Sequence, residues 1–479
     1  MCSTSFRTPR ARCWRKRGTC CRCGASGGAA SGRRRNPPRS RRMRSSAVLI
    51  VRNEAAVLGR CLDSLAGAVD EIVVLDTGST DETRAIAEAC GAVVGGCTWQ
   101  DDFAAARNAA LDLATGDIAL VIDADEWLES PEEVRAQLAT FGIAATPDTL
   151  GLVYIHNEPP PGGDLQATTD ETPRVFLRAA FRYAGRIHEQ PESVSGRPPR
   201  AVLTGIRLRH SGYAQRADDP AHKAHRNIAL LRAAMADAPE DAYLHYQLGK
   251  AWFSLQRYRA AAIAFDQALR RIDFDSRPPQ GSHGPVSREM LTGAVCTRAY
   301  ALIQSEQRDA ALSLLEEHAR LAHAGTERAD FHHALGYVRL QLGQWDAAEA
   351  AYRASLGRPE DVRGTGSFAT WYHLGLIAMA RGDHATADAC NAEALALEPG
   401  YLPALRKLLE DWLAQDAADI ALLRPYAASG AFHEACLEKL DAALQNGAID
   451  QAERLTKAAI ALDAALLERC RTHLETYRR

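Results

Sequence analysis

The sequence predicts a two-part protein: an α/β domain with a mixed, mostly parallel sheet, followed by an all-α solenoid of paired helices. Three observations predict it. From residue 46 to about 210, short apolar runs alternate with helix-length amphipathic segments, the cadence of βαβ units. From about residue 216 the strand signals stop, and Ala and Leu recur at helical spacing. Within that second part a pattern of aromatic, Leu-Gly and Ala-rich helix returns several times. The expected divisions are a basic head at 1–45, the α/β domain at 46–215 and the repeats at 216–479.

The head is set apart by charge. Residues 1–46 hold thirteen Arg, one Lys and no acid, so the net charge of −3 conceals a net of −17 over the rest. Few aliphatics leave the head unable to bury a core. Cys2, Cys13, Cys20, Cys21 and Cys23 lie in it, without the paired spacing of a zinc knuckle. It has no apolar stretch of the secretory kind. A transit peptide and a nucleic-acid arm are weighed, but a disordered tail or a mis-assigned start before Met43 is preferred. No nucleic-acid partner is expected. The other seven cysteines are scattered singly, as small core residues of a reducing compartment. No run of about 18 apolar residues occurs, so no membrane span is expected. The expected location is the cytoplasm, with a peripheral place at the inner membrane left open.

Each element of the first part has a local reason. AVLIV (47–51) is an apolar strand, and Val57, Leu58, Leu62 and Leu65 give a helix at about 54–66. EIVVLD (71–76) is a second strand that ends in an acid. Ser79 with Glu82 reads as a capping box opening a helix to about Ala89. AVVGG (92–96) is a third strand, FAAARNAALDLA (103–114) a helix and IALVID (118–123) a fourth strand. GLVYIH (151–156), RVFLR (174–178), FRYAGRIHE (181–189) and VLTGIRLRH (202–210) follow without long helices between them, a mixed extension of the sheet. Residues 159–173 read as a surface loop near the site.

In the second part, residues 242–272, 330–360 and 370–400 match one another, with Leu-Gly pairs at Leu248-Gly249, Leu335-Gly336 and Leu374-Gly375. Residues 294–321 and 430–462 are weaker copies, and 275–288 is a Pro/Gly-rich insert. The pattern resembles the tetratricopeptide repeat, a helix pair whose stacking presents a concave surface.

The chemistry concentrates in VIDADEW, residues 121–127. Asp123 and Asp125 sit at the end of a parallel strand, where open α/β sheets bind ligands. Hard oxygen ligands suit Mg²⁺ or Mn²⁺. Glu126 and Glu129 have the plainer reading of a helix start. In chain order, AVLIVRNEA, LDTGSTDET, DDFAAARNAAL and VIDADE resemble the motifs of family 2 glycosyltransferases. The nearest subgroups are the lipopolysaccharide-core glucosyltransferase type and the sublancin-type peptide S-glycosyltransferases.

That resemblance implies a GT-A fold and inverting transfer from a nucleotide-diphosphate sugar, UDP-sugar favoured, to a glycan or a peptide or protein acceptor. It implies that Arg52, Asn53 and Glu54 line the nucleotide pocket, that Asp76 binds base or ribose, and that Gly78 keeps its loop low. Asp81 supports the nucleotide or caps a helix. Arg107 reaches the donor, Asp123 ribose or metal, and Asp125 the metal and diphosphate. Glu189 is the candidate base, His188 orients it or the diphosphate, and His210 is a third metal ligand. Plainer readings stand beside these: a turn for Asn53, a solvated helix face for Arg107, a strand end for Glu189 and a core histidine for His210. The repeats suggest a protein partner. Two other classes compete. One is a repeat scaffold with an inactive first domain. The other is a nucleotidyltransferase, which would want a Gly-rich first loop that VRNEA lacks.

Overall fold

The computed structural model of the protein describes residues 42–157, 168–210, 220–272, 288–320, 326–415 and 419–477. The basic head before residue 42 and the insert at 275–287 lie outside the described residues.

Strands β1 (Ser45–Val51), β2 (Glu71–Asp76), β3 (Val93–Gly96) and β4 (Ile118–Val121) are parallel, in the order β3-β2-β1-β4. Helices α1 (Leu58–Leu65), α2 (Thr83–Ala89) and α3 (Phe103–Leu113) make the crossovers between them. Alternation along these strands feeds two cores. Ala47, Leu49, Val51, Val74, Leu120 and Ile122 pack on the side of α1. Val48, Val73, Leu75, Ala119 and Val121 pack on the side of α3, against Ala106, Ala110 and Leu111.

The chain then departs from the expected order in three places. β5 (Glu126–Leu128) is a short strand with helix α4 (Pro131–Ala144) after it, so Glu126 begins a strand and the helix starts only at Pro131. β6 (Thr149–Asn157) and β7 (Thr168–Leu177) follow, and residues 168–173 of the expected loop belong to β7. The rest of that loop, 159–167, lies outside the described residues. FRYAGRIHE is not one strand. It divides into β8 (Phe181–Ala184), a turn and β9 (Gln190–Ser193), which make a separate two-stranded sheet. Gly185 at φ 95° and His188 at φ 55° break the extended run.

The last strand, β10 (Arg200–His210), lies between β6 and β5, so the large sheet reads β3-β2-β1-β4-β7-β6-β10-β5. Its register sets His210 beside Asn157 on one side and Glu126 on the other. The expected capping box at α2 does not form. Ser79 Oγ accepts the Asn53 N–H at 2.9 Å, while Asp81 accepts the Thr83 N–H at 3.0 Å. Five of the seven scattered cysteines are buried as expected, but Cys90 is exposed.

The helical part begins with α5 (Pro220–Asp237). Antiparallel pairs follow: α6 (Ala242–Ser254) with α7 (Tyr258–Arg271), α8 (Arg288–Gln304) with α9 (Arg308–His318), α10 (Ala329–Gln341) with α11 (Trp345–Ser355) and α12 (Phe368–Ala380) with α13 (His384–Leu397). After α14 (Leu402–Ala414), α15 (Gly430–Gln445) pairs with α16 (Ile449–Leu462), and α17 (Ala464–Tyr477) closes the series. All five expected repeat segments are helix pairs. The Leu-Gly signal has a packing cause. A Cβ on Gly249 would stand 2.7 Å from the Phe265 ring, and one on Gly336 2.8 Å from the Tyr352 ring. In these two pairs the glycine lets the second helix press a ring onto the first, and at Gly375 it lets the α13 backbone and Cys390 come close, with a Cβ there 3.3 Å from the Ala387 carbonyl and the Cys390 Cβ.

Sheet and helices belong to one compact unit, Met43–Arg479. Ile187, in the turn before β9, is buried in the same apolar cluster as Ile228, Leu231 and Ala234 of α5 and Leu244 and Leu248 of α6. Arg186 pairs with Asp237 at 3.2 Å. The turn that carries His188 and Glu189 is therefore anchored on the helical part. Among the described residues no helix is long and apolar enough to cross a membrane.

Candidate active site

A cavity of about 960 Å³ opens at the C-terminal ends of β1 and β4. It gathers Arg52, Asn53 and Glu54 from the loop after β1, Arg107 from α3 and Asp123 and Asp125 from the turn after β4. His188 and Glu189 from the β8–β9 turn and His210 from the end of β10 complete the set. Nine of the twelve residues singled out from the sequence therefore meet around one space. For Arg52–Glu54, Arg107, Asp123 and Asp125 a parallel sheet explains this, because its strand ends and following loops share one edge, while His188, Glu189 and His210 arrive from the β8–β9 turn and the end of β10.

Asp76, Gly78 and Asp81 are not on the cavity wall. They build the loop behind it. Asp76 Oδ1 accepts the N–H groups of Gly78 at 3.2 Å and Ser79 at 2.9 Å. Gly78 sits at φ 106° with nothing within 4 Å of a would-be Cβ, so backbone conformation rather than clearance requires glycine there. Asp81 takes the Thr83 hydroxyl at 2.5 Å and the Ala55 N–H at 3.2 Å, and the Thr83 bond holds its carboxyl below the usual range. Asn53, at φ 54°, accepts the Thr80 N–H on its side chain at 2.8 Å. Its turn role is thus present beside its place on the wall.

Arg107 is the hub of the cavity floor. Its Nε donates to Glu189 at 2.6 Å and its Nη2 to Asp123 at 2.9 Å. The other Asp123 oxygen accepts from Arg174 Nη2 at 2.7 Å, and the same nitrogen donates to Glu126 at 2.9 Å. Burial disfavours the charge on Asp123, but Arg174 and Arg107 overcome it and hold the carboxyl far below the usual carboxylate range. Burial pushes Glu126 up to about 7, against the pull of Arg174. Glu126 also accepts the Asp123 N–H at 2.9 Å, closing the turn that aims both aspartates.

Arg174 was not singled out by motif, although its strand was expected. A cation heading an apolar run two strands from an acidic turn was the available signal. Tyr183 was also missed. Its ring lies under the Arg107 guanidinium at 5.4 Å, and burial raises its hydroxyl to about 12. Trp99, Phe103, Ile50 and Val57 give the cavity apolar walls.

His188 makes no side-chain hydrogen bond to Glu189. It sets an edge on the Tyr243 ring of α6, and burial, aided by Lys250, lowers it to about 4. At neutral pH it is an uncharged imidazole, and Arg107 is the group that orients Glu189.

The expected metal ligands divide in two. His210 Nε2 lies 3.3 Å from Asp125 Oδ2, and Asn157 Oδ1 faces the other ring nitrogen at 2.8 Å. Asp123 turns both oxygens to arginines instead. Among the described residues no three His, Cys, Asp or Glu side chains converge on one point. A carboxylate and an imidazole on a cavity wall still fit Mg²⁺ or Mn²⁺, which take few protein ligands and leave the rest to phosphate and water.

With this geometry in view, comparison with known proteins is specific. Residues 46–161 match the family model Glycosyl transferase family 2. A TPR repeat-containing protein of Synechococcus elongatus is 36% identical over 236 residues, 47% of this chain and 56% of that one. The SPbeta prophage-derived glycosyltransferase SunS of Bacillus subtilis is 28% identical over 40% of this chain and 45% of its own. An uncharacterized glycosyltransferase of Rickettsia felis is 43% identical over 30% of this chain and 47% of its own. The chain spans about half the length of the curated relatives it matches. The α/β part thus carries the family 2 glycosyltransferase match, and the helix pairs after it resemble tetratricopeptide repeats.

Proposed function

We propose, from that family 2 domain as premise, that the protein transfers a sugar from a nucleotide-diphosphate donor, UDP-sugar favoured, to a glycan or a peptide or protein acceptor. The catalytic part would run to about residue 215 and the repeats from 216, in the cytoplasm or at the periphery of the inner membrane. One observation carries the reading: Arg52–Glu54, Asp123, Asp125, Glu189 and His210 line a single cavity large enough for a nucleotide sugar.

In this reading the acceptor hydroxyl or thiol loses its proton to Glu189 as it attacks the anomeric carbon. The new bond forms there while the bond from that carbon to the diphosphate oxygen breaks, and the nucleoside diphosphate leaves with inversion. Arg107 fixes the Glu189 carboxylate against Asp123, and the aspartate turn presents Asp125 to the diphosphate. Asp125 and His210 would hold Mg²⁺ or Mn²⁺, with Asp123 available should an arginine release it. A cation there stabilises the negative charge that develops on the leaving group. Asp76 and Asp81 would serve base and ribose through the loop that they brace.

The test is calorimetric titration of UDP, then GDP, into the chain with Mn²⁺ and with EDTA. Metal-dependent binding of one nucleotide supports the reading. Folded protein that binds neither favours a repeat scaffold with an inactive first domain. Asp125→Ala should remove the Mn²⁺-dependent part of binding and leave the fold intact.

A further inference from the structure

Helix α5 belongs to the helical part, yet one of its faces lines the cavity. Lys223, Arg226 and Asn227, at i, i+3 and i+4, are all on the cavity wall. Lys223 and Arg226 are exposed, while Ala224, Ile228 and Leu231 are buried on the helical core. The helix is thus anchored by its apolar side and shows cations to the cavity.

The charge balance of the cavity makes these two residues significant. Arg107 lies there too, but its charge is engaged by Asp123 and Glu189. Among the described residues Lys223 and Arg226 make no ion pair. With Arg52 they are the wall cations that no carboxylate among the described residues engages. A diphosphate entering the cavity brings two to three negative charges and several strong acceptor oxygens. Lys and Arg bind such groups by charge-assisted hydrogen bonds, Arg in a forked geometry.

We propose that Lys223 and Arg226 of α5 bind the diphosphate of the donor, so that the donor site is completed by the first helix of the repeat part. This rests on the glycosyltransferase reading above. It gives the helical part a role at the reacting centre in addition to any partner surface. It also couples two positions, because α5 and the Glu189 turn share one apolar cluster through Ile187 and Ile228.

The test uses the full chain and two double variants, Lys223→Met with Arg226→Gln and Lys223→Arg with Arg226→Lys. UDP, GDP and uridine are titrated with Mn²⁺ at two salt concentrations, and thermal melts check folding. The neutral pair should weaken binding of the diphosphate roughly ten- to a hundred-fold, the range of lost charge-assisted bonds. It should leave uridine binding unchanged and flatten the salt dependence. The charge-conserving pair should stay within a few-fold of wild type. A neutral pair that melts like wild type and binds the diphosphate equally well overturns the proposal while leaving the transferase reading intact. Wild-type protein that binds neither UDP nor GDP overturns both.

Discussion

Arg107 and Glu189 meet at 2.6 Å, although 82 residues separate them, and both side chains are almost wholly buried. Through the same guanidinium α3 is tied to Asp123. Arg107→Ala would leave the buried Glu189 carboxylate without its guanidinium and take one of two arginines from the partly exposed Asp123. Breaking buried pairs of this kind costs about 3–5 kcal/mol. Arg107→Lys should recover only part of the loss, since an ammonium lacks the fork that spans both acids. Urea unfolding of the three proteins measures this, and an alanine variant as stable as wild type would contradict it.

Glu189→Gln keeps an oxygen for Arg107 Nε and removes the proton acceptor. Binding of nucleoside diphosphate should be unchanged, while turnover should fall about 10²–10⁴-fold, the usual contribution of a general base. Turnover at the wild-type rate would assign the base elsewhere. His188→Asn separates the neighbouring role. Its imidazole is neutral and packs on Tyr243, so its loss should shift affinity and stability more than the chemical step.

The sheet was legible where apolar runs had the right length and ended in recognisable loops, as at AVLIV and EIVVLD. It was illegible where three residues sufficed for a strand, as in β5, whose pairing with β10 is a tertiary event. The capping box failed for a similar reason. Ser79 had a better partner in Asn53, 26 residues away, and Asp81 took the helix start. Motif order brought Arg52–Glu54, Arg107, Asp123 and Asp125 to one cavity, because those motifs follow strands of the same parallel set, whereas His188 and Glu189 reach it from the separate β8–β9 sheet and His210 from the end of β10. Arg174 escaped because its role depends on β7 running antiparallel beside β4. Nothing local marks that pairing. The α5 cations escaped because charges on a helix are ordinarily read as a solvated face.

Gly336→Ala tests the repeat packing. Alanine is the better helix former by about 0.8–1 kcal/mol. Here its Cβ would stand 2.8 Å from the fully buried Tyr352 ring. The ring has no room to retreat, so overpacking costs of about 1–3 kcal/mol should win and the variant should be less stable. Gly382→Ala is a useful contrast. It has open space but a φ of 76°, so its penalty is backbone strain and not collision.

The helical part should lose stability in acid. His333 is buried on α10, with Thr370 Oγ1 at 2.8 Å from Nδ1 and the Tyr352 and His373 rings beside it. Burial, with the neighbouring His373, lowers it to about 3 from the ordinary 6.5. His373 is lowered by burial as well. In the window between about 3 and 6.5 the unfolded chain therefore binds a proton that the folded chain refuses. Stability is highest above 6.5 and falls as pH falls through that window. For His333 alone the loss between pH 7 and pH 5 is about 2 kcal/mol by linkage. Denaturation of the helical signal at the two pH values should show at least this drop. His333→Asn, which retains a group to meet Thr370, should show a smaller one. An equal drop in the variant would assign the acid sensitivity to other histidines, His188 first among them, since burial lowers it to about 4.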